Sequence, residues 1–128
     1  SFGADAILLI VAALGQNQLE DLYNTALEYK MSVIIEVHTI EEAIRVSNFS
    51  SAMIGINNRN LKTLKTDLNN TFEIYKTLNS FDGILVSESG ITNKDDVLKI
   101  SNQTNIKTFL VGESLLKNLD SNSIFSIL

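Results

Sequence analysis

The sequence places a carboxylate inside one of its most apolar runs. Glu36 interrupts the aliphatic segment 33–37, and alternation along an extended chain puts it on the same face as Ile34 and His38. A carboxylate at such a position is partly removed from water, which raises its pKa and suits it to proton transfer near neutral pH. Glu36 is therefore a candidate general acid or base. A structural ion pair with a neighbouring lysine or arginine explains the same position equally well.

His38 is the single histidine of the chain and directly precedes Thr39. Thr39 and Glu42 have the spacing of a capping box, so His38 lies at the junction of a predicted strand and a predicted helix. A lone histidine at such a junction is more often a hydrogen-bonded structural residue than a catalyst, and we interpret it in that way.

Polar residues follow three further apolar runs. Asn57, Asn58, Arg59 and Asn60 bring amides and a guanidinium to one strand end, a set that can orient hydroxyl and carboxylate groups of a ligand. The same residues favour a turn, because asparagine bonds its own backbone. The two interpretations are compatible.

Glycines follow the last two predicted strands, in the segments Ser89-Gly90 and Gly112-Glu113-Ser114. Glycine lets backbone N–H groups approach a ligand closely, and a helix that begins near Glu113 would direct its positive end toward the same place. Parallel barrels commonly bind phosphate after their last two strands, so these segments predict a phosphate site.

Composition narrows the class of protein. The 128 residues are 45% hydrophobic and 20% charged, which is enough for one domain, residues 1–128. A net charge of −5 with scattered lysines argues against a nucleic-acid partner. We expect no membrane partner and a cytoplasmic location, because the chain lacks a long apolar run and a signal-peptide pattern. Without cysteine, an ordinary zinc site is not expected.

Five continuous apolar runs alternate with stretches of helical period, as in parallel strands that are covered on both faces. The predicted strands are residues 6–11, 33–37, 52–56, 84–86 and 108–111. In the second helix we expect Ile40, Ala43, Ile44 and Ser47 to form the inner face, and a last helix is predicted at 124–128. Two folds fit this pattern: five units of a (β/α)8 TIM barrel, or an open five-stranded sheet of flavodoxin type.

The segments GADAILLIVAAL, VIIEVH, IGINNRNLKT, VSESGI and FLVGESLL, in this order and spacing, resemble the C-terminal part of indole-3-glycerol phosphate synthase. The resemblance covers nearly the whole chain and implies the last five β/α units of a TIM barrel. It also implies a carbon-carbon lyase of tryptophan biosynthesis that needs no cofactor. Its substrate is an anthranilate-derived ribulose phosphate, which closes a ring onto its ketone and loses carbon dioxide and then water.

The resemblance further implies roles for individual residues. Glu36 would transfer protons in ring closure and dehydration, Asn57 and Ser89 would orient the substrate, and Arg59 and Glu88 would frame the pocket as a charged pair.

The remaining roles concern substrate binding at the last two strands. The backbone of Gly90, Gly112 and Glu113 would hold the phosphate, and Leu110 would contact the aromatic ring.

The family's first three strands, which carry two catalytic lysines and a glutamate, have no counterpart in this sequence. We therefore expect the chain alone to be inactive, and an N-terminal barrel fragment to be its partner if it acts as an enzyme. The alternative is a non-catalytic partial barrel that binds phosphate or associates with itself through exposed strand edges.

Overall fold

Five strands alternate with helices in the order that the apolar runs predict. The computed structural model describes residues 5–59, 63, 65–89, 91 and 93–110. The strands are β1 (Ala6–Ile10), β2 (Ser32–Val37), β3 (Met53–Asn57), β4 (Leu85–Glu88) and β5 (Thr108–Leu110). The helices are α1 (Gln16–Glu28), α2 (Ile40–Val46), α3 (Asn69–Thr77) and α4 (Lys94–Gln103). The helix predicted at 124–128 lies outside the described residues. Within them, no helix has the length and apolarity that crossing a bilayer requires.

The strands form one parallel sheet in which spatial order equals chain order, from β1 to β5. A flavodoxin-type sheet places its second strand outside its first, so the observed order excludes that alternative. Consecutive parallel strands joined by helices are the arrangement of a (β/α)8 barrel. The sheet is thus a five-stranded arc of such a barrel, as the family resemblance implies.

The two faces of the sheet differ in burial because the helices cover one of them. The aliphatic side chains of β2 and β3 on the helix-covered face are at most 2% exposed: Val33, Ile35, Val37, Ile54 and Ile56. On the opposite face Ile34 and Glu36 are half-buried, and Leu8 is 52% exposed. This second face, called the inner face below, carries Glu36 as strand alternation predicts.

The capping box predicted at the start of α2 forms in part. Thr39 Oγ1 accepts a hydrogen bond of 3.1 Å from the backbone N–H of Glu42. The Glu42 carboxylate reaches one residue further back than in a regular capping box, because its Oε1 accepts from the backbone N–H of His38 at 2.8 Å. These two bonds attach the first turn of α2 to the carboxyl end of β2.

The prediction of which α2 residues pack against the sheet is wrong for two of them. Ile40 and Ile44 are 39% and 59% exposed, whereas Ala43 and Val46 are fully buried. Relative to the predicted face the helix is rotated, so that Ala43 and Val46 are buried, and Glu42 bonds the backbone of His38 at the end of β2. The rotation of a helix about its axis depends on contacts with other elements, and helical periodicity in the sequence does not predict those contacts.

We expect Thr39→Ala to lower the free energy of unfolding by about 1 kcal/mol, because the backbone N–H of Glu42 loses its acceptor. Urea denaturation followed by circular dichroism measures this difference. Thr25→Ala, at an exposed position within α1, is the matched control and should change stability little. Equal effects of the two substitutions would contradict a capping role.

Candidate active site

Two carboxylates from different strands meet on the inner face. Glu36 of β2 pairs in register with Gly55 of β3, and Glu88 of β4 pairs with Asn57 of β3. The Glu88 side chain lies over Gly55, where a Cβ atom would be 2.7 Å from Glu88 Oε2. Glycine at this position therefore leaves the space through which Glu88 reaches Glu36.

Glu88 holds a proton at neutral pH in this setting. Burial, the hydrogen bond with Glu36 and the negative charge of Glu36 raise the pKa of Glu88 from 4.5 to about 8, with burial the largest cause. A protonated Glu88 can donate to the Glu36 carboxylate, so the two groups share one proton. Such a pair can take up and release a proton near neutral pH.

The structural alternative for Glu36 was an ion pair with lysine or arginine, and no such pair occurs in the part of the chain that the structure describes. The neighbours of Glu36 are Glu88 and His38, whose Nε2 lies 3.3 Å from Glu36 Oε2. These surroundings favour the acid-base interpretation of Glu36.

The His38 ring lacks the hydrogen bonds that its interpretation as a satisfied structural residue requires. Both ring nitrogens are buried, and neither makes an aligned hydrogen bond. Nε2 nevertheless faces Glu36, and Nδ1 lies 3.5 Å from Glu42 Oε1. The imidazole is therefore held between two carboxylates, an arrangement that depends on the position of Glu42 and is not visible in the residue's own sequence context.

The segment after β3 forms the predicted turn, since Asn57 Oδ1 accepts from the backbone N–H of Arg59 at 2.9 Å. The Arg59 side chain is exposed and makes no ion pair with Glu88 among the described residues. It borders a cavity of about 420 Å³ beside His38. The other described residues that line this cavity are polar or charged: Asn58, Thr63, Lys65, Asp67, Asn69, Asn70 and Glu73. Asn60 lies outside the described residues.

Ser89 follows β4 in the left-handed region of backbone conformation, with φ of 65°. Residues other than glycine rarely adopt this region, and such strain is concentrated at functional sites.

Leu110 pairs with Glu88 in the sheet. The predicted phosphate-binding residues Gly90, Gly112 and Glu113 lie outside the described residues.

A buried polar cluster behind the site joins the end of β3 to the end of β4. It consists of Asn58, Thr71 and Ser87, which are at most 3% exposed. Thr71 Oγ1 donates to Asn58 Oδ1 at 2.7 Å, so the 2.9 Å contact between Thr71 and Ser87 requires the Ser87 hydroxyl as donor. Asn58 Nδ2 lies 3.1 and 3.0 Å from the carbonyl oxygens of Glu88 and Ser89. The cluster thus holds the backbone on both sides of the strained turn.

Sequence reasoning missed the contribution of α3 to the site. Asn70 Nδ2 donates to the carbonyl oxygens of His38 at 3.0 Å and of Asn57 at 3.1 Å, which joins the ends of β2 and β3. Thr71 has the spacing i, i+3, i+7 with Ile74 and Leu78, which are also buried. A polar residue within that apolar stripe was the signal that could have identified it.

Comparison with known proteins assigns the family. The family model of indole-3-glycerol phosphate synthase matches residues 1–127. The chain is 43% identical over 120 residues to indole-3-glycerol phosphate synthase of Zymomonas mobilis subsp. pomaceae, and 44% identical over 126 residues to that of Acinetobacter baumannii. These matches cover 94% and 98% of this chain but 45% and 46% of the relatives. The chain therefore spans about half the length of the curated relatives it matches.

Solved structures agree on the fold. The chain resembles NadC from Streptococcus pyogenes with a TM-score of 0.60 at 18% identity, over 88% of this chain and 37% of the other. A deletion mutant of NadC gives a TM-score of 0.61 at 19% identity, with the same coverage of both chains. At these identities the likeness concerns the fold alone.

The raised pKa of Glu88 predicts a pH-dependent stability. Between pH 4.5 and about 8 the folded state binds a proton that the unfolded state has lost, so stability should fall as pH rises through this window. The slope should not exceed about 1.4 kcal/mol per pH unit, which corresponds to one proton. Glu88→Gln should remove this part of the slope, and Glu28→Gln on the surface should not. Urea denaturation at several pH values tests this, and parallel curves for wild type and Glu88→Gln would contradict it.

We expect Thr71→Val to lower the free energy of unfolding by about 1–3 kcal/mol, because Asn58 Oδ1 loses its donor and the Ser87 hydroxyl loses its acceptor. Thr71→Ser retains the hydroxyl and should recover most of the loss. The measurement is chemical denaturation of both variants at one pH. If serine were no better than valine, the missing methyl contacts rather than the hydrogen bonds would be responsible.

Proposed function

The chain belongs to the indole-3-glycerol phosphate synthase family, and we propose that it supplies the C-terminal part of that family's active site. The reaction is the decarboxylating ring closure of an anthranilate-derived ribulose phosphate to indole-3-glycerol phosphate. The observation that carries this proposal is the Glu36 and Glu88 pair, which shares a proton on the inner face of the barrel arc. A family match without this pair would support the fold but not the chemistry.

The geometry suggests how the proton moves. Glu36 contacts both His38 and Glu88. In this proposal Glu36 transfers protons in the ring closure and in the loss of water. Glu88 lies beside it as the protonated partner. Glu88 keeps its proton because two adjacent buried carboxylates cannot both carry a charge at low cost, and it can donate that proton in a hydrogen bond to Glu36.

Other residues bind and orient the substrate in this proposal. Asn57 lies next to Glu88 in the sheet, Ser89 follows Glu88 in a strained turn, and Arg59 lines the cavity beside His38. Gly90, Gly112 and Glu113 would hold the phosphate through their backbone, and Leu110 would contact the aromatic ring.

A second candidate is a non-catalytic partial barrel that binds phosphate or associates with itself. The exposure of Leu8 on the inner face favours this candidate, because apolar side chains there lack a covering layer. The two candidates differ in whether the function requires the Glu36 carboxylate. A binding module does not need the carboxylate, whereas a synthase does.

A chimeric enzyme tests the proposal. In it, this chain replaces the matching segment of the Zymomonas mobilis relative, and indole formation is followed by fluorescence. We expect turnover by the chimera, none by the chain alone, and a loss of about 10²- to 10⁴-fold with Glu36→Gln.

Glu28→Gln, on the exposed surface of α1, is the control and should leave turnover unchanged. A folded chimera without activity would favour the binding module, and turnover by the chain alone would overturn the expectation that it needs the rest of the barrel.

A further inference from the structure

Among the residues that the structure describes, His38 is the one buried titratable side chain at the site to which the proposed function gives no role. Its ring lies between carboxylates on two elements, with Nε2 3.3 Å from Glu36 Oε2 and Nδ1 3.5 Å from Glu42 Oε1. The histidine side chain is 6% exposed, that of Glu36 13% and that of Glu42 17%. Exposure therefore rises from the ring to the Glu42 carboxylate at the start of α2.

The backbone fixes the ring in this place. The N–H of His38 donates to Glu42 Oε1 at 2.8 Å, and its carbonyl oxygen accepts from Asn70 at 3.0 Å. Thr39 caps the helix that carries Glu42. The peptide is thus bonded to α2 on one side and to α3 on the other, and the imidazole stays between the two carboxylates.

The ring nitrogens lack the hydrogen bonds that buried polar atoms normally make. Both are buried without an aligned hydrogen bond, which is costly for a polar atom. A neutral imidazole can donate to only one of the two carboxylates, whereas a doubly protonated ring can donate to both. Imidazole can also accept a proton on one nitrogen and release another from the opposite nitrogen.

The charged groups around His38 come from several elements. Glu36 lies on β2 and Glu42 on α2, and both are near the ring; Glu88 lies on β4 and contacts Glu36. Across the cavity lie the charged side chains that follow β3 and begin α3: Arg59, Lys65, Asp67 and Glu73. Within the described residues, only the carboxylates of Glu36 and Glu42 lie within ion-pair distance of the ring nitrogens.

The proposed reaction needs a supply of protons. The substrate carboxylate leaves as neutral carbon dioxide and the ketone oxygen leaves as water, so each turnover takes up one proton from solution. The substrate would occupy the inner face in front of Glu36. Glu36 also contacts His38 and, through it, the partly exposed Glu42 carboxylate, which offers a second route for protons.

We propose that Glu42 and His38 form a proton relay that connects the Glu36 and Glu88 pair to the surface at the start of α2. A proton passes from the Glu42 carboxyl group to Nδ1 of His38, and Nε2 releases a proton to Glu36. Glu42 and His38 act through Glu36 and are positioning residues for proton transfer. The use of the relay in catalysis rests on the proposed function, but the coupling of the four groups is a property of this chain.

Nitrogen NMR of the 128-residue chain tests the coupling directly, because the sequence has one histidine. We expect the ring ¹⁵N shifts to show an additional inflection at the pH where Glu88 loses its proton. Glu88→Gln should abolish that inflection. Gly55→Ala, whose Cβ would displace Glu88 Oε2, should shift or abolish it and serves as a second variant. A single titration curve, identical in wild type and both variants, would overturn the relay.

The chimeric enzyme tests the use of the relay. Glu42→Gln keeps an oxygen that accepts from the His38 N–H but removes the carboxylate, so it should lower kcat by about tenfold or more with KM unchanged. Glu41→Gln, exposed in the same turn of α2, is the control and should leave kcat unchanged. An unchanged kcat with Glu42→Gln would contradict the role in catalysis. An inactive chimera would overturn the proposed function and leave the NMR result as the measure of the coupling.

Discussion

Two carboxylates that are buried side by side can share one proton but cannot both be ionised at low cost, and the geometry of this site follows from that constraint. Glu36 and Glu88 stand on strands that are separated by β3, so their side chains meet only where β3 has no side chain of its own. Gly55 provides that gap. A larger residue there would leave the sheet intact and move the carboxyl group of Glu88.

The strand ends that carry these groups are held from the helix-covered side. Asn70 joins β2 to β3, and the cluster of Asn58, Thr71 and Ser87 joins β3 to β4. The first turn of α3 thus contacts the carboxyl ends of three strands. The hydrogen bonds of the cluster are buried and those of Asn70 are partly buried, so replacing a partner leaves polar groups unsatisfied. Stability and site geometry therefore depend on the same residues.

Sequence reasoning succeeded where a property depends on near neighbours in the chain. Continuous apolar runs predicted all five strands, because strands of a covered parallel sheet need apolar side chains on both faces. Alternation put Glu36 on the inner face, and the spacing of Thr39 and Glu42 predicted the start of α2. The family resemblance, based on segments in fixed order, implied the barrel, which the strand order confirms, and roles for the residues at the strand ends, which stay predictions.

The sequence by itself determined the strands and helices and the residues that end each strand, since these are read from local pattern; that pattern fits an open sheet as well as a barrel, and only the family resemblance implied the barrel. Only the tertiary structure decided that Glu36 has Glu88 rather than a lysine or arginine as its neighbour, that His38 lies between two carboxylates, and that Ile40 and Ile44 face solvent. These features depend on strand register and helix rotation, which arise from contacts between residues far apart in the chain.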